Sequence, residues 1–591
     1  MTAPQLTIAA ILAVTFVLFV WGRVRYDVVA CGALCATVLT GLVPAADAFR
    51  GFGHPATITV AAVLIISRAL TASGAVDLIA RYLVPETSRA DLRIAGLGGL
   101  AAALSAVINN VGALALLMPV AIRTSIKAKQ SPALILMPLA FASILGGLVT
   151  LIGTPPNIII ATFRQDALGE PFGMFDYTPV GGVIAIAGVL FVALIGWRLL
   201  PKATRERSVT EELFDIEGYL TEARVLKDSP ANGQQVGDLE EIAAAHDLMI
   251  IGVVRGGRRI RVSRREKLRT NDKLLVEGSP EGLDKFITEL GLRIMGTKAG
   301  EAKFGGDKLD LVEVVVPPGS RIERRTVESL RLPQRHGINL LAVARQGRPY
   351  RGRLGKLRFQ SGDVLLLQGD DDRLPEAVVA LGCLPLAERG LQFGKSRQAW
   401  LAIAIFLTAV GSAAAGLVAL PIAFATAVVA VVVAGILPVR DLYDGVDWAV
   451  IVLLGAMIPI GGALQSSGTT DLVAAGIVAA AAGLPVALVL TLVLVVTMTL
   501  SDVLNNAATA VIMAPIGLSV ATQLGVNGDP FLMAVAIGAS AAFLTPIGHQ
   551  NNTLVMGPGG YAFGDYWRMG LPLEILITVI AIPMILIVWP L

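Results

Sequence analysis

Two stretches, SAVINNVGALALLMP at residues 105–119 and SDVLNNAATAVIMAP at residues 501–515, decide the fold. Each places two adjacent asparagines inside a run that is otherwise typical of buried apolar helix. A buried side-chain amide needs hydrogen-bond partners, and leaving one unsatisfied costs about 1–3 kcal/mol. Four residues of the first stretch recur 396 positions later: Ser105, Asn109, Asn110 and Pro119 become Ser501, Asn505, Asn506 and Pro515.

The composition indicates a membrane protein. Of the 591 residues, 54% are hydrophobic and only 16% are charged, and the mean hydropathy is +0.71. Apolar stretches near the spanning length of about 20 residues fill 1–200 and 396–591, whereas charge concentrates between them. The first run, Leu6 to Trp21, lacks a basic leader, which predicts a permanent span. The net charge of +3 gives no indication of nucleic-acid binding.

The two apolar regions look like copies of one unit. GLVPAADAFRGF from Gly41 matches GILPVRDLYDGV from Gly435, and ALTASGAVDL from Ala69 matches ALQSSGTTDL from Ala463. Together with the asparagine stretches, these matches predict two membrane repeats, at 1–200 and 396–591.

Each repeat is predicted to have five transmembrane helices and one re-entrant hairpin. In the first repeat the hairpin covers 92–127, and the crossings are predicted at 5–21, 26–43, 55–71, 134–163 and 178–199. An odd number of crossings on both sides of one shared domain requires opposite orientations, as in inverted-repeat transporters. Arg and Lys concentrate in the loops that this arrangement places in the cytoplasm, as the positive-inside rule requires. Both termini are then outside.

The asparagine pairs are predicted at the two hairpin tips, facing each other near the middle of the bilayer. Non-helical backbone is tolerated there only where protein buries it or where it lines a wet cavity. Amide carbonyls can coordinate a hard cation such as sodium, and amide hydrogens can donate to an oxyanion. Helix starts beside the tips favour an anion. The alternative is that the amides only hold helices together.

A second polar break follows each hairpin: GTPPN at Gly153–Asn157 and TPIGHQNN at Thr545–Asn552. Prolines remove backbone donors and interrupt the helix, which exposes carbonyls that can serve as cation ligands. The predicted substrate site comprises Asn109, Asn110, Asn505, Asn506, Gly153, Thr154, Thr545 and Pro546. The predicted sodium site comprises Asn110, Asn506, Ser105, Ser501, Asn157, Asn551 and Asn552.

In these motifs the chain resembles the divalent anion/sodium symporters of the wider ion-transporter superfamily. The stretch NNTLVMGPGGYAFGDYWRMGLPL from Asn551 is similar to bacterial members with regulatory insertions. The resemblance implies a homodimer in the lipid of the bacterial inner membrane, with an elevator-like transport domain whose tips bind sodium and an oxyanion together. Asn109 and Asn505 occupy the serine places of the family's Ser-Asn-Thr motif, and Val111 and Ala507 the threonine places. Because those hydroxyls are missing, sulfate suits the tips better than a dicarboxylate.

Residues 205–390 are charged, with short alternating strands and glycine turns. VVRGGRRIRVSRREKLRTNDKLLVEG from Val253 parallels VARQGRPYRGRLGKLRFQSGDVLLLQG from Val343. The two copies, at 205–298 and 308–390, resemble TrkA-C (RCK-C) domains, small cytoplasmic α/β modules that regulate transporters and channels, some of which bind a nucleotide. Two interpretations are open for the hairpin arginines, a phosphate grip or a solvated basic turn: Arg255, Arg258, Arg259, Arg345 and Arg348.

Other functions stay open at this point. Gly-Thr-Pro-Pro-Asn also occurs in arsenite permeases and sodium/proton antiporters of the superfamily, so exchange of cations for protons is the main competitor. A regulated ion channel is disfavoured because no TVGYG-like filter occurs. The sequence has no metal-ligand cluster, nucleophile elbow or phosphate loop, which argues against an enzyme.

Overall fold

The chain forms two compact units, Met1–Arg207 with Glu388–Leu591, and Ser208–Ala387. The first unit contains both apolar regions, and the second contains the charged segment between them. The computed structural model describes residues 1–21, 24–74, 89–128, 130–201, 220–246, 248–255, 258–260, 266–277, 280–295, 309–330, 332–345, 348–350, 357–370, 374–386, 396–481 and 483–591.

The first apolar region is helical. Its helices are α1 Ala3–Trp21, α2 Tyr26–Leu39, α3 Pro55–Ala72, α4 Ala90–Ser105, α5 Asn110–Lys127, α6 Ala133–Gly147, α7 Pro155–Leu168 and α8 Thr178–Leu194. Short 3-10 turns lie at Ala45–Asp47, Arg50–Gly53 and Gly196–Leu199. Several helices carry proline in their first turn, where the missing N–H has no helical partner to lose.

The inserted unit contains two copies of one α/β module. The first copy has β1 Leu220–Val225, α9 Val236–Ala245, β2 Met249–Arg255, β3 Arg258–Ile260, β4 Lys273–Glu277, α10 Pro280–Leu290 and β5 Leu292–Met295. The second has β6 Leu309–Val315, α11 Val327–Leu330, α12 Leu332–Arg335, β7 Asn339–Arg345, β8 Arg348–Pro349, β9 Val364–Asp370, α13 Leu374–Leu381 and β10 Leu384–Pro385. Their strand orders, β3-β2-β4-β1-β5 and β8-β7-β9-β6-β10, give the same antiparallel topology.

Two of the hairpin arginines are held inside their own modules. Arg255 Nε donates to Asp272 Oδ1 at 2.9 Å, and Arg345 Nε donates to Asp363 Oδ1 at 2.7 Å. Hydrogen bonding to these carboxylates raises the pKa of both guanidinium groups. Because both aspartates are buried, each arginine neutralises a core carboxylate. Neither is therefore a free phosphate grip or a solvated turn, and the side chains of Arg258, Arg259 and Arg348 lie outside the described part of the chain.

The second apolar region repeats the element order of the first. Its helices are α14 Ser396–Ala414, α15 Leu420–Val433, α16 Val439–Asp444, α17 Trp448–Ser466, α18 Thr469–Ala480, α19 Val486–Ser501, α20 Asn506–Leu524, α21 Asp529–Ser540, α22 Gln550–Met556 and α23 Tyr566–Val588. A 3-10 turn lies at Phe563–Asp565.

The two repeats pack on each other reciprocally. Helix α2 packs on α17, and its counterpart α15 packs on α3. Helix α7 packs on α20, and its counterpart α22 packs on α5. The counterparts α8 and α23 pack together. Such an exchange of neighbours is what a two-fold relation between the repeats produces.

Five helices of the described residues are long and apolar enough to cross a bilayer, at 45–72, 397–414, 448–466, 506–524 and 563–588. Shorter apolar helices accompany them. The chain is therefore a helical, multi-pass membrane protein, and the opposite orientation of the repeats stays a prediction.

The asparagine stretches form helical hairpins. Helix α4 ends at Ser105 and α5 begins at Asn110, so the first pair lies at the turn, as predicted. The predicted crossing 134–163 is not one continuous helix. It ends at Gly147 and resumes at Pro155, because the GTPPN motif lies in the interruption and two prolines start the new helix.

Candidate functional site

The hairpin tips and the second breaks of both repeats line one cavity. Its volume is about 80 Å³, and it is lined by Leu64, Asn109, Asn110, Val111, Thr154, Pro155, Asp447, Val450, Asn505, Asn506, Ala507, Ile547, Gly548, His549 and Gln550. Both repeats contribute, so the cavity exists only where they meet. It has room for several water molecules or one small anion.

Three long helices begin at this cavity. Helix α5 begins at Asn110, α7 at Pro155 and α20 at Asn506, and all three residues line the cavity. Gln550, the first residue of the short helix α22, lines it as well. A helix N-terminus presents about half a positive charge and, in general, unpaired N–H groups. Helix α7 begins with Pro155 and Pro156, which have no N–H, so it contributes its dipole, whereas α5 and α20 contribute N–H groups as well. The cavity is therefore suited to an anion, although no Lys or Arg is among its lining residues.

The first asparagine of each pair caps a helix. Asn109 Oδ1 accepts a hydrogen bond from Val111 N–H at 3.0 Å, and Asn505 Oδ1 accepts one from Ala507 N–H at 2.9 Å. Asparagine is among the best residues at this position because its oxygen satisfies an N–H that the helix leaves free. These two side chains fix the helix starts at the tips.

The second asparagine of the first pair joins the two repeats. Ser105 Oγ donates to Asn110 Oδ1 at 2.6 Å, and Asn551 Nδ2 donates to the backbone oxygen of Asn110 at 3.2 Å. The Asn110 amide also contacts His549 Nε2 at 3.2 Å. Ser143 Oγ donates to the same backbone oxygen at 2.8 Å. The first tip is therefore held by the second break.

The second tip is arranged differently. Asn506 Oδ1 accepts from Ala507 N–H at 2.8 Å, within its own helix start. Ser501 Oγ donates to the backbone oxygen of Ala539 at 2.5 Å, whereas its counterpart Ser105 bonds the tip asparagine. The two predicted sodium ligands of this tip are therefore engaged locally.

The two breaks have the same internal hydrogen bonds. Asn157 Nδ2 donates to the backbone oxygens of Gly147 at 3.3 Å and Thr150 at 2.9 Å. Asn552 Nδ2 donates to the equivalent oxygens of Ala542 at 3.1 Å and Thr545 at 3.0 Å. Each asparagine thereby closes the loop between a helix end and the next helix start.

Tyrosines secure the same two asparagines from behind. Tyr177 Oη donates to the backbone oxygen of Asn157 at 2.8 Å, and Tyr566 Oη donates to that of Asn552 at 2.6 Å. These contacts involve only the backbone of each asparagine. They leave the side-chain oxygens available.

Several buried oxygens in this region have no hydrogen-bond donor among the described residues. They include Oδ1 of Asn157, Asn551 and Asn552 and Oγ1 of Thr154, and, beside the second tip and break, Oδ2 of Asp502 and Oγ of Ser540. An unsatisfied buried acceptor is costly, whereas a hard cation is bound by such oxygens. Three of the seven predicted sodium ligands therefore present a bare oxygen. The side-chain oxygens of the other four, Ser105, Ser501, Asn110 and Asn506, already take part in hydrogen bonds.

The predicted substrate residues separate into two groups. Five line the cavity: Asn109, Asn110, Asn505, Asn506 and Thr154. The other three, Gly153, Thr545 and Pro546, are not among its lining residues. Gly153 packs against the backbone of Gly147, Thr545 Oγ1 donates to the backbone oxygen of Asp502 at 2.6 Å, and the oxygen of Pro546 accepts from Thr553. These three residues therefore stabilise the backbone of the breaks and do not line the cavity.

Sequence reasoning left the role of His549 unassigned because the two Thr-Pro dipeptides are not equivalent in the structure. Thr150, not Thr154, makes the counterpart of the Thr545 contact, donating to the backbone oxygen of Ala106 at 2.5 Å. Thr154 lies three residues before Asn157, and His549 lies three residues before Asn552, so these two residues occupy equivalent positions. Both are helix N-caps that line the cavity. Equal spacing to the final asparagine was the signal that could have revealed this.

Comparison with known proteins supports a transporter. The model of the citrate transporter family CitMHS matches residues 16–538 and 487–591. An uncharacterized transporter of Synechocystis sp. is 31% identical over 96% of this chain and 94% of its own length. An uncharacterized transporter of Escherichia coli is 29% identical over 100% of both chains. Sodium/sulfate cotransporter 2 of Chlamydomonas reinhardtii is 25% identical over 55% of this chain and 38% of its own. The prediction of a transporter rather than an enzyme is confirmed.

Proposed function

This chain belongs to the citrate transporter family, and from that premise we propose that it is a sodium-coupled symporter of a small divalent oxyanion. The observation that carries the proposal is the meeting of three long helix N-termini at one amide-lined cavity, with bare buried oxygens in the adjoining breaks. The N–H groups suit an anion and the oxygens suit a cation. One site thus offers groups that suit the anion and groups that suit its sodium counterion.

We place the sodium ions at the breaks. In Asn157 and Asn552 the Nδ2 group is fixed by two backbone oxygens, so the amide cannot rotate without losing both hydrogen bonds. Their Oδ1 atoms are thereby pre-positioned as ligands. A cation at Asn551 would act on the first tip directly, since the same side chain donates to the backbone oxygen of Asn110. This contact gives a route by which sodium orders the anion site.

Sulfate is the proposed substrate, with a dicarboxylate as the alternative. The cavity of about 80 Å³ is small, and the threonine hydroxyls of the divalent anion symporters are replaced by Val111 and Ala507. Related proteins are named sodium/sulfate cotransporters, whereas the family model is named for citrate. All three anions therefore belong in the assay.

We place the protein in a bacterial inner membrane, as a homodimer with inverted repeats and an elevator-type transport domain. The reciprocal packing of the repeats and the distribution of Arg and Lys along the chain support the inverted repeats. The membrane, the homodimer and the elevator-type domain are proposed from the resemblance to the divalent anion/sodium symporters. We interpret the two modules of the inserted unit as cytoplasmic TrkA-C domains, because their duplication and shared topology fit that class. A nucleotide or another small ligand would then regulate transport through them.

Uptake into proteoliposomes tests the proposal. Labelled sulfate should accumulate under an inward sodium gradient and not when choline replaces sodium, with succinate and citrate as competitors. Asn110→Ala and Asn506→Ala should abolish uptake, whereas Tyr177→Phe, which changes a contact behind the break, should retain it. Proton counterflow driven by sodium without any anion would establish an antiporter instead. Downhill sulfate flux that does not depend on sodium would refute sodium coupling and favour a channel or an uncoupled carrier.

A further inference from the structure

One carboxylate in the cavity wall has no part in the proposed function. Asp447 lines the cavity and is the N-cap of α17. Its Oδ1 accepts hydrogen bonds from Ala449 N–H at 3.1 Å and Val450 N–H at 3.4 Å. These bonds fix the side chain in place. Among the described residues, no donor hydrogen-bonds its second oxygen, Oδ2.

The charge of Asp447 is large relative to the rest of the cavity. The three long helix ends contribute about half a positive charge each, and the N-terminus of α17, which Asp447 itself caps, contributes another half. The lining residues that the structure describes include no Lys, Arg or Glu and no second Asp. His549 Nδ1 accepts a hydrogen bond from Asn551 N–H at 3.1 Å. Asp447 therefore cancels much of the positive potential offered to an anion.

Two nearby cations do not remove this charge. Arg68 packs its side-chain stem against Gly445, two residues before Asp447, but Arg68 is exposed and makes no ion pair with Asp447 among the described residues. Arg25 lies within electrostatic range of Asp447. Its guanidinium is bound to Asp27, with Nη2 at 3.0 Å from Oδ2, and its side chain is 59% exposed. An exposed cation that already has its own carboxylate is screened by solvent and salt.

We propose that Asp447 limits the negative charge that the cavity accepts, so that a multivalent anion binds only together with sodium. The inference rests on the proposed function and names the residue that makes the anion depend on the cation. The proposed role predicts that the gain in affinity on removing the carboxylate charge grows with the charge of the anion. For an anion centred about 8 Å from the carboxylate, a separation chosen for illustration, removing one unit charge strengthens binding about twofold for a monovalent, about sixfold for a divalent and more than tenfold for a trivalent anion, even with the dielectric constant of water.

Asp447→Asn separates charge from structure, because asparagine caps a helix about as well as aspartate. Sulfate and citrate are titrated against the purified full-length protein in detergent, at low and at saturating sodium. We expect sulfate to bind at least fivefold more tightly to the variant at low sodium, with a larger gain for citrate and a smaller gain for either anion at saturating sodium. Asp447→Ser, which also caps and lacks charge, should show the same gain. Asp447→Glu, which keeps the charge, should not.

The outcomes distinguish the two proposals. If the wild type binds sulfate in a sodium-dependent manner and Asp447→Asn binds it equally or more weakly, the charge role is overturned and the symporter proposal stands. An equal gain for Asp447→Glu would also overturn it, because the effect would then come from the cap. If the wild type binds neither anion at any sodium concentration, the proposed function fails and the inference fails with it.

Discussion

Replacing Asn157 with alanine should separate the structural and the ion-binding role of a break asparagine. The variant loses two hydrogen bonds from Nδ2, to Gly147 and Thr150. At about 0.5–1.5 kcal/mol each, it should be about 1–3 kcal/mol less stable without sodium. It also loses a bare buried oxygen. If that oxygen binds sodium, a concentration tenfold above Kd stabilises the wild type by about 1.4 kcal/mol, and the variant should lose this increment.

Thermal unfolding of the purified full-length protein in detergent measures both effects, with sodium chloride compared against choline chloride at equal ionic strength. Tyr177→Phe is the matched control. It removes the hydrogen bond to the Asn157 backbone and leaves Oδ1 intact. The control should melt earlier in both salts and keep the full sodium-dependent rise in Tm. Asn552→Ala and Tyr566→Phe repeat the comparison in the second break.

Two results would refute this reasoning. If sodium raises the Tm of Asn157→Ala as much as that of the wild type, Oδ1 of this residue is not a ligand. If Tyr177→Phe loses the sodium response as completely as Asn157→Ala, the response reports the integrity of the break rather than a specific oxygen.

Two substitutions and one labelling experiment test other parts of the structure. Asp363→Asn removes the charge of the buried partner of Arg345 and should destabilise the inserted unit by about 3 kcal/mol, the low end for a buried pair because the Arg345 side chain is partly exposed. Unchanged resistance of that unit to limited proteolysis would contradict this. Gly570→Ala places a Cβ against the backbone oxygen of Phe543 and should lower both Tm and uptake. Gly476→Ala, whose Cβ would meet open space inside helix α18, should leave uptake unchanged and keep or slightly raise Tm. Burial raises the pKa of the Cys383 thiol to about 12, so a maleimide at pH 8 should label it only after unfolding, with the native rate rising as pH approaches that pKa; rapid labelling at pH 8 would show the thiol to be exposed.

The architecture could be predicted where the sequence repeats itself. The spacing between Asn110 and Asn506 placed both pairs at helix starts, because two apolar runs around a polar pair form a hairpin in either copy. The alternating strands of the inserted segment predicted its duplicated α/β modules in the same way. In both cases hydrophobic periodicity and internal duplication predict the same structural elements.

The finer details of the site depend on contacts that no local pattern encodes. The Thr-Pro dipeptides suggested an equivalence that the fold does not make, since spacing to the final asparagine sets the register of Thr154 and His549. Asp447 was missed because an N-cap aspartate is ordinary at a helix start, and only the packing of α17 beside α20 brings it to the cavity. The role of Arg255 was missed because its partner Asp272 lies in a different part of the hairpin.

The hydrogen bond from Asn551 to the backbone of Asn110 joins residues 441 positions apart. At a synthesis rate of about 5–20 residues per second, the ribosome needs about 20 to 90 seconds to travel from one to the other. During that interval the early hairpin and the face of α3 that later receives α15 lack their final neighbours. The polar residues of the first hairpin therefore lack their partners from the second repeat until that repeat has been synthesised. Insertion of the last helices is then the step that completes assembly.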